Sequence, residues 1–135
     1  MISVVGTMFF DSQKLLLCKP RKRSTYQLIA GKIELNESPL EAAIRECHEE
    51  LGNEVIFDDR NFEFVMEFDE IASSDNVTPI HYYLFRYNGE LIGKMKSSEE
   101  IESFLWYDSS YGTDILSNTL RNEVIPYCLS KKLIK

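Results

Sequence analysis

The stretch Gly31–Asn53, GKIELNESPLEAAIRECHEELGN, decides how the rest of the chain is read. It is a loop followed by a helix with marked ends. Ser38 suits the N-cap, Pro39 suits the first helical position, and Glu41, three residues after Ser38, completes a capping box. Gly52 supplies the stop, because the residue just past a helix often takes a positive φ. These signals predict a helix over Pro39–Leu51.

At about 100° per residue, Leu40, Ala43, Ile44, Cys47 and Leu51 share one face, the expected core side. Glu46, Glu49 and Glu50 gather on a neighbouring arc, where Ala42 and Ala43 leave space. Carboxylates at i, i+3 and i+4 repel one another, at about 0.2–0.5 kcal/mol per pair. Glu49 and Glu50 also fall in the last turn, where the helix dipole disfavours negative charge. Divalent cations between the carboxylates make the arrangement favourable. Mg²⁺ suits it, because it takes oxygen ligands and completes its shell with water and substrate phosphates.

The segment resembles the box of the Nudix hydrolases, G-x5-E-x7-R-E-U-x-E-E-x-G-U, with U a bulky aliphatic residue. Gly31, Glu37, Arg45, Glu46, Glu49, Glu50 and Gly52 fall on the fixed positions. Cys47 and Asn53 stand where the pattern has aliphatic residues, and Ile29-Ala30 stands where many members have Pro-Gly. A thiol packs as a small hydrophobe, so the first departure is mild.

The resemblance implies an α/β (α+β) fold, a mixed β-sheet sandwiched between α-helices, over residues 1–135 as a single domain. It implies Glu46 and Glu50 as the main metal ligands, with Glu49 a third and the Gly31 carbonyl a fourth. Mg²⁺ is the expected cofactor, with Mn²⁺ as a substitute. Arg45 cannot ligate a cation, and it is expected to orient Glu37 or Glu49 by charge-assisted hydrogen bonds. The catalytic base is either Glu46 or Glu100. Glu100 lies six residues before Trp106, a spacing that matches an acidic residue many Nudix hydrolases carry on a loop facing the box.

Composition narrows the class. A chain of 135 residues, 44% hydrophobic and 27% charged, fits one globular domain. A net charge of −7 argues against a general nucleic-acid binder, whose affinity rests on neutralising phosphates. Cys18, Cys47 and Cys128 are isolated and odd in number, which suits core packing in a reducing compartment. Met1–Phe10 lacks a basic n-region, and no run approaches the ~20 apolar residues of a membrane span. The expected setting is the cytoplasm.

Outside the box, Ile2–Phe10 reads as a strand, Asp11-Ser12-Gln13 as a hairpin turn and Lys14–Cys18 as a second strand. Glu54–Phe57, Phe62–Phe68 and His81–Tyr87 read as further strands, with Ile71–Thr78 a polar loop. Trp106-Tyr107 is expected to begin or join a strand, with Trp106 at the rim of the site. Asp114–Leu133 has a helical pattern that Pro126 either breaks or opens. His81 is expected to be structural and His48 to lie on the surface.

Lys19, Arg21, Lys22 and Arg23 form a basic cluster ahead of the box. Lys19 and Arg21 are the candidates for holding substrate phosphates, against the alternative of a solvated loop. Asn122, before Pro126, loosely resembles the position where 8-oxo-dGTP diphosphatases place an asparagine that reads the purine edge. An amide donates and accepts at once, as base recognition requires. Capping of the final helix is the alternative role.

The activity implied is hydrolysis of a nucleoside diphosphate linked to another group, foremost a nucleoside triphosphate, such as an oxidised purine nucleotide, to the monophosphate and pyrophosphate. ADP-ribose, nucleotide sugars and dinucleoside polyphosphates are alternatives, as is a non-catalytic nucleotide sensor. The implied partner is a small nucleotide, with no nucleic acid and no membrane; a homodimer is left open.

Overall fold

The computed structural model describes residues 1–135. Seven strands and two α-helices follow in the order β1 (Ile2–Met8), β2 (Phe10–Asp11), β3 (Lys14–Pro20), β4 (Ile29–Lys32), α1 (Pro39–Leu51), β5 (Phe62–Ile71), β6 (Pro79–Tyr87), β7 (Ile101–Tyr107) and α2 (Ile125–Ser130). The strands form two sheets. One has the order β4-β1-β6-β5, with β1 and β6 parallel and the other pairs antiparallel; the second has the order β2-β3-β7.

Strand alternation buries both sides of this framework. From β3, Leu16 and Cys18 enter a cluster with Val5, Phe85 and Tyr87 beneath α1. Their neighbours Leu15 and Leu17 enter a second cluster with Leu84, Leu116, Leu120 and Val124, beneath the C-terminal helical segment. Mixed β structure therefore lies between helices, as the resemblance implied. All three cysteines are buried and unpaired.

The signals at the ends of α1 act as read. The Ser38 hydroxyl accepts from the Glu41 amide at 3.1 Å, and the Glu41 carboxylate accepts from the Ser38 amide at 3.0 Å. Gly52 has φ +91°, a conformation that a Cβ disfavours. The buried face is shifted from the expected one. Ala42 is fully buried beside Ala43, Cys47 and Leu51, whereas Leu40 is 40% exposed. Two adjacent alanines let the helix approach the sheet closely, and this rotates Leu40 outward.

Two further expectations change. Glu54–Phe57 is not a strand but a single bridge between Ile56 and Ile92. Only Val55 of that stretch is buried, too little anchorage for a ladder. The C-terminal helix is shorter than its apolar pattern: a π-helical turn over Leu120–Val124 precedes α2. The Ile125 amide donates to the Leu120 carbonyl, one residue beyond α-helical spacing, just before Pro126, which has no amide to offer. Trp106 and Tyr107 join a strand as expected, as the last two residues of β7, and Trp106 packs against the cluster beneath α1. His81 bridges Asp69 at 2.6 Å and Glu67 at 2.9 Å, while His48 is exposed and sets its edge on Phe57.

Candidate active site

Arg45 is the hub of the box. Its guanidinium donates to Glu37 through Nε at 2.7 Å and through Nη2 at 2.9 Å, a two-pronged pairing that locks the loop ahead of α1 onto the helix. Nη1 reaches Glu46 at 2.7 Å and Glu49 at 3.4 Å, and Nη2 also reaches the Lys32 carbonyl at 2.9 Å. Arg45 therefore holds Glu37 and Glu46 most tightly, where sequence reading favoured Glu37 or Glu49. The Arg45 hydrogen bonds lower the Glu37 pKa to about 2.

Gly31 shows why the first box position carries no side chain. A Cβ built there would fall on the Glu46 carboxylate, which rests against the main chain of β4. One residue earlier, the Ala30 amide donates to Glu50 Oε1 at 2.7 Å. The bare main chain at Gly31 and the Ala30 amide thus place two of the three box carboxylates. Sequence reading missed the Ala30 amide, since no side chain announces it.

Burial raises the Glu50 pKa to about 8; the Ala30 amide opposes this, and Glu46, Glu100 and Glu49 add to it. Burial also raises Glu46, against the pull of Arg45. An expected result follows for the metal-free protein. The folded state holds the Glu50 proton up to about pH 8, whereas an unfolded glutamate releases it near its ordinary 4.5. The folded state therefore binds more protons in that window, and stability falls as pH rises through it, by on the order of a few kcal/mol in total. Thermal unfolding in chelator should show the melting temperature dropping between pH 5 and pH 8; a flat profile contradicts the assignment.

Glu100 lies on a bend before β7, exposed and close enough to Glu50 to disfavour its charge. It lies within electrostatic reach of Glu50. Lys19 and Arg21 have protein partners. Lys19 Nζ pairs with Glu102 at 2.7 Å, Arg21 Nε donates to the Glu99 carbonyl at 2.9 Å, and the Arg21 amide donates to the Glu100 carbonyl at 2.9 Å. Both basic residues fasten the segment that presents Glu100.

A cleft of about 380 Å³ opens beside the box, and Gly31 is on its wall. Gln27, Ala30, Tyr82, Ser73, Ser117 and Thr119 also line it. Tyr82 is held by stacking on Phe68, centroids 5.2 Å apart. Of the basic cluster it is Arg23, not Lys19 or Arg21, that lies on the wall. Asn122 is exposed, donates to Glu70 at 3.3 Å, and neither lines the cleft nor caps α2.

No three His, Cys, Asp or Glu side chains stand close enough together, as placed, to share an ion. Glu46 is turned to Arg45 and Glu50 to the Ala30 amide. The surroundings still fit a cation. The missing side chain at Gly31 lets the Glu46 carboxylate lie against β4, and Glu50, with three carboxylates near it, has no basic partner of its own. Hard oxygen donors around unbalanced negative charge suit a divalent ion.

The NUDIX domain model matches residues 2–110, and the chain belongs to that family. It is a hydrolase acting on pyrophosphate bonds, and such hydrolases use divalent metals. No curated protein matches it. Solved structures share its fold. The MutT protein from Methanosarcina mazei Go1 aligns with TM-score 0.76 at 19% identity, over 97% of this chain and 95% of that one. A C. elegans Ap4A hydrolase aligns with TM-score 0.68 at 14% identity, over 96% and 97%. A bifunctional NMN adenylyltransferase/ADP ribose pyrophosphatase from Francisella tularensis, complexed with AMP and a Mn ion, aligns with TM-score 0.71 at 16% identity, over 96% of this chain and 41% of that one. No helix of the chain is long and apolar enough to cross a membrane.

Proposed function

We propose that residues 1–135 act as one domain that hydrolyses a nucleoside triphosphate to the monophosphate and pyrophosphate with Mg²⁺, an oxidised purine nucleotide such as 8-oxo-dGTP being the first candidate. The observation that carries this reading is the meeting of the box and the cleft at Gly31, which touches Glu46 on one side and lines the cleft on the other. A polyphosphate at the carboxylates thus has space beside it for its nucleoside.

Glu46 and Glu50 would hold the cation, with Glu49 and the Gly31 carbonyl completing the protein's share. Mn²⁺ is a reasonable substitute, as the AMP- and Mn-bound structure of similar fold contains it. Once bound, the cation neutralises phosphate charge and makes the attacking water more acidic. The chain's own residues do the rest. Glu46 or Glu100 accepts the water proton as the water oxygen bonds to phosphorus and the bridging phosphoanhydride bond breaks, its electrons leaving with the departing phosphate. Arg45 keeps Glu46 oriented throughout. Positioning and charge stabilisation are most of what phosphoryl transfer needs.

The base and ribose lie in the cleft, where Gln27 and Thr119 offer hydrogen-bonding groups. Asn122 would have to leave Glu70 to read a base. Lys19 and Arg21 would act on phosphates mainly by holding Glu100 in place, unless they release their partners.

A pyrophosphate- and phosphate-release screen tests the reading, using 8-oxo-dGTP, dGTP, ADP-ribose and Ap4A with Mg²⁺ or Mn²⁺. Release from 8-oxo-dGTP at least about tenfold more efficient than from dGTP is expected; a difference of that size needs only about 1.4 kcal/mol of transition-state discrimination. Faster turnover of ADP-ribose or Ap4A would reassign the substrate. Tight binding without any product would reassign the protein as a sensor.

A further inference from the structure

Beyond the cleft lies a second pocket of about 340 Å³, and the two share Arg23, Ser73, Ser74 and Ser117 on their walls. Its composition runs against that of the whole chain. In a protein of net charge −7, Lys22, Arg23 and Arg121 line this pocket and no Asp or Glu does. The three cations form no salt bridge within the protein: the ion pairs present involve Lys19, Arg45, Arg60, His81 and Lys96. The nearest acid in sequence, Asp75, is engaged by the Val77 and Thr78 amides and the Thr78 hydroxyl of its own turn.

The pocket is held in shape. The Asn118 amide group donates to Asn76 at 2.7 Å and its oxygen accepts from Arg121 Nη2 at 2.9 Å, while the Asn118 backbone donates to Ser73 Oγ at 2.8 Å. Asn118 thereby ties the loop after β5 to the π-helical turn and aims Arg121. Cations, hydroxyls and amides around an open space, with no carboxylate on its wall, are the donors that a phosphate takes.

We infer that this pocket takes a second phosphate on the nucleoside side of a bound nucleotide, one that 8-oxo-dGTP lacks, as in a nucleotide phosphorylated on its ribose 2′ or 3′ oxygen. The inference rests on the cleft holding the nucleoside, as proposed above. The polyphosphate lies at Gly31, the nucleoside lies in the cleft, and the extra phosphate reaches the basic pocket that adjoins it at Arg23, Ser73, Ser74 and Ser117.

Isothermal titration calorimetry on the full chain, with Ca²⁺ present, would compare dephospho-coenzyme A with coenzyme A, which differ by a 3′-phosphate, and inorganic phosphate alone. A second protein carrying Lys22→Gln and Arg121→Gln, two residues that do not line the cleft, serves as control. Expected is about tenfold or more tighter binding of the phosphorylated member. The double variant should lose that preference while binding the unphosphorylated member as before. Equal affinities, a preference that survives in the double variant, or no measurable binding of either compound in the low millimolar range would overturn the inference. So would inorganic phosphate binding as tightly as the phosphorylated nucleotide, which would mark a site for the free anion. Hydrolysis of both compounds with Mg²⁺, followed in parallel, reports on the proposed activity separately, so an inactive protein with the binding preference refutes only the activity.

Discussion

Glu50→Gln should lower Mg²⁺-dependent hydrolysis by on the order of 10³-fold while leaving the fold intact. The amide oxygen of glutamine still accepts from Ala30, so the hydrogen bond at 2.7 Å has a replacement. The charge has none, and a tenfold loss for each 1.36 kcal/mol makes 10³-fold about 4 kcal/mol, within what a Lewis-acid cation supplies. The same substitution should stabilise the metal-free protein at pH 8 and above. It removes a carboxylate that burial and three acidic neighbours hold at a pKa of about 8, and with it the decline in melting temperature between pH 5 and pH 8. Turnover with Mg²⁺ and thermal unfolding in chelator check both halves. Near-normal turnover would remove Glu50 from the metal site, and an unchanged pH profile would remove it as the cause of that decline.

Arg45→Lys should be the next most damaging change, at about 10²-fold in kcat, the size of effect expected when reacting groups are displaced by about 1 Å. One ammonium cannot reproduce the paired bonds to Glu37 together with those to Glu46 and the Lys32 carbonyl. With Glu46 released from its place against Gly31, the Mg²⁺ concentration for half-maximal rate should rise, an effect that general loosening of the helix would not single out. An unchanged Mg²⁺ requirement with reduced kcat would make Arg45 a structural residue only.

What the sequence discloses here is chemistry that is close along the chain. The capping box, Gly52 and the run of glutamates lie within one loop and helix, so their geometry follows from helical spacing alone. The Glu37–Arg45 pair is of the same kind. The cleft is different. Gln27, Ser73, Tyr82 and Ser117 become neighbours only because β1 pairs in parallel with β6 and the loop after β5 folds back on the C-terminal segment. None of these residues is unusual in its own stretch. The C-terminal helix was overextended for a related reason: its apolar residues repeat with a helical period from Ile115, but hydrogen bonding begins later and is widened just before Pro126. Leu40 shows the reverse error, since periodicity assigned it to the core and the fit of two alanines against the sheet turned it out.

The four-stranded sheet ends at β5, whose outer margin has no partner strand. Four of its ten residues, Glu63, Glu67, Asp69 and Glu70, are acids. A second copy offering the same margin would set these charges against each other, so lateral extension of the sheet from copy to copy is disfavoured at neutral pH. Acidification or high salt would weaken that safeguard, and storage under such conditions is where sheet-mediated aggregation should first be looked for.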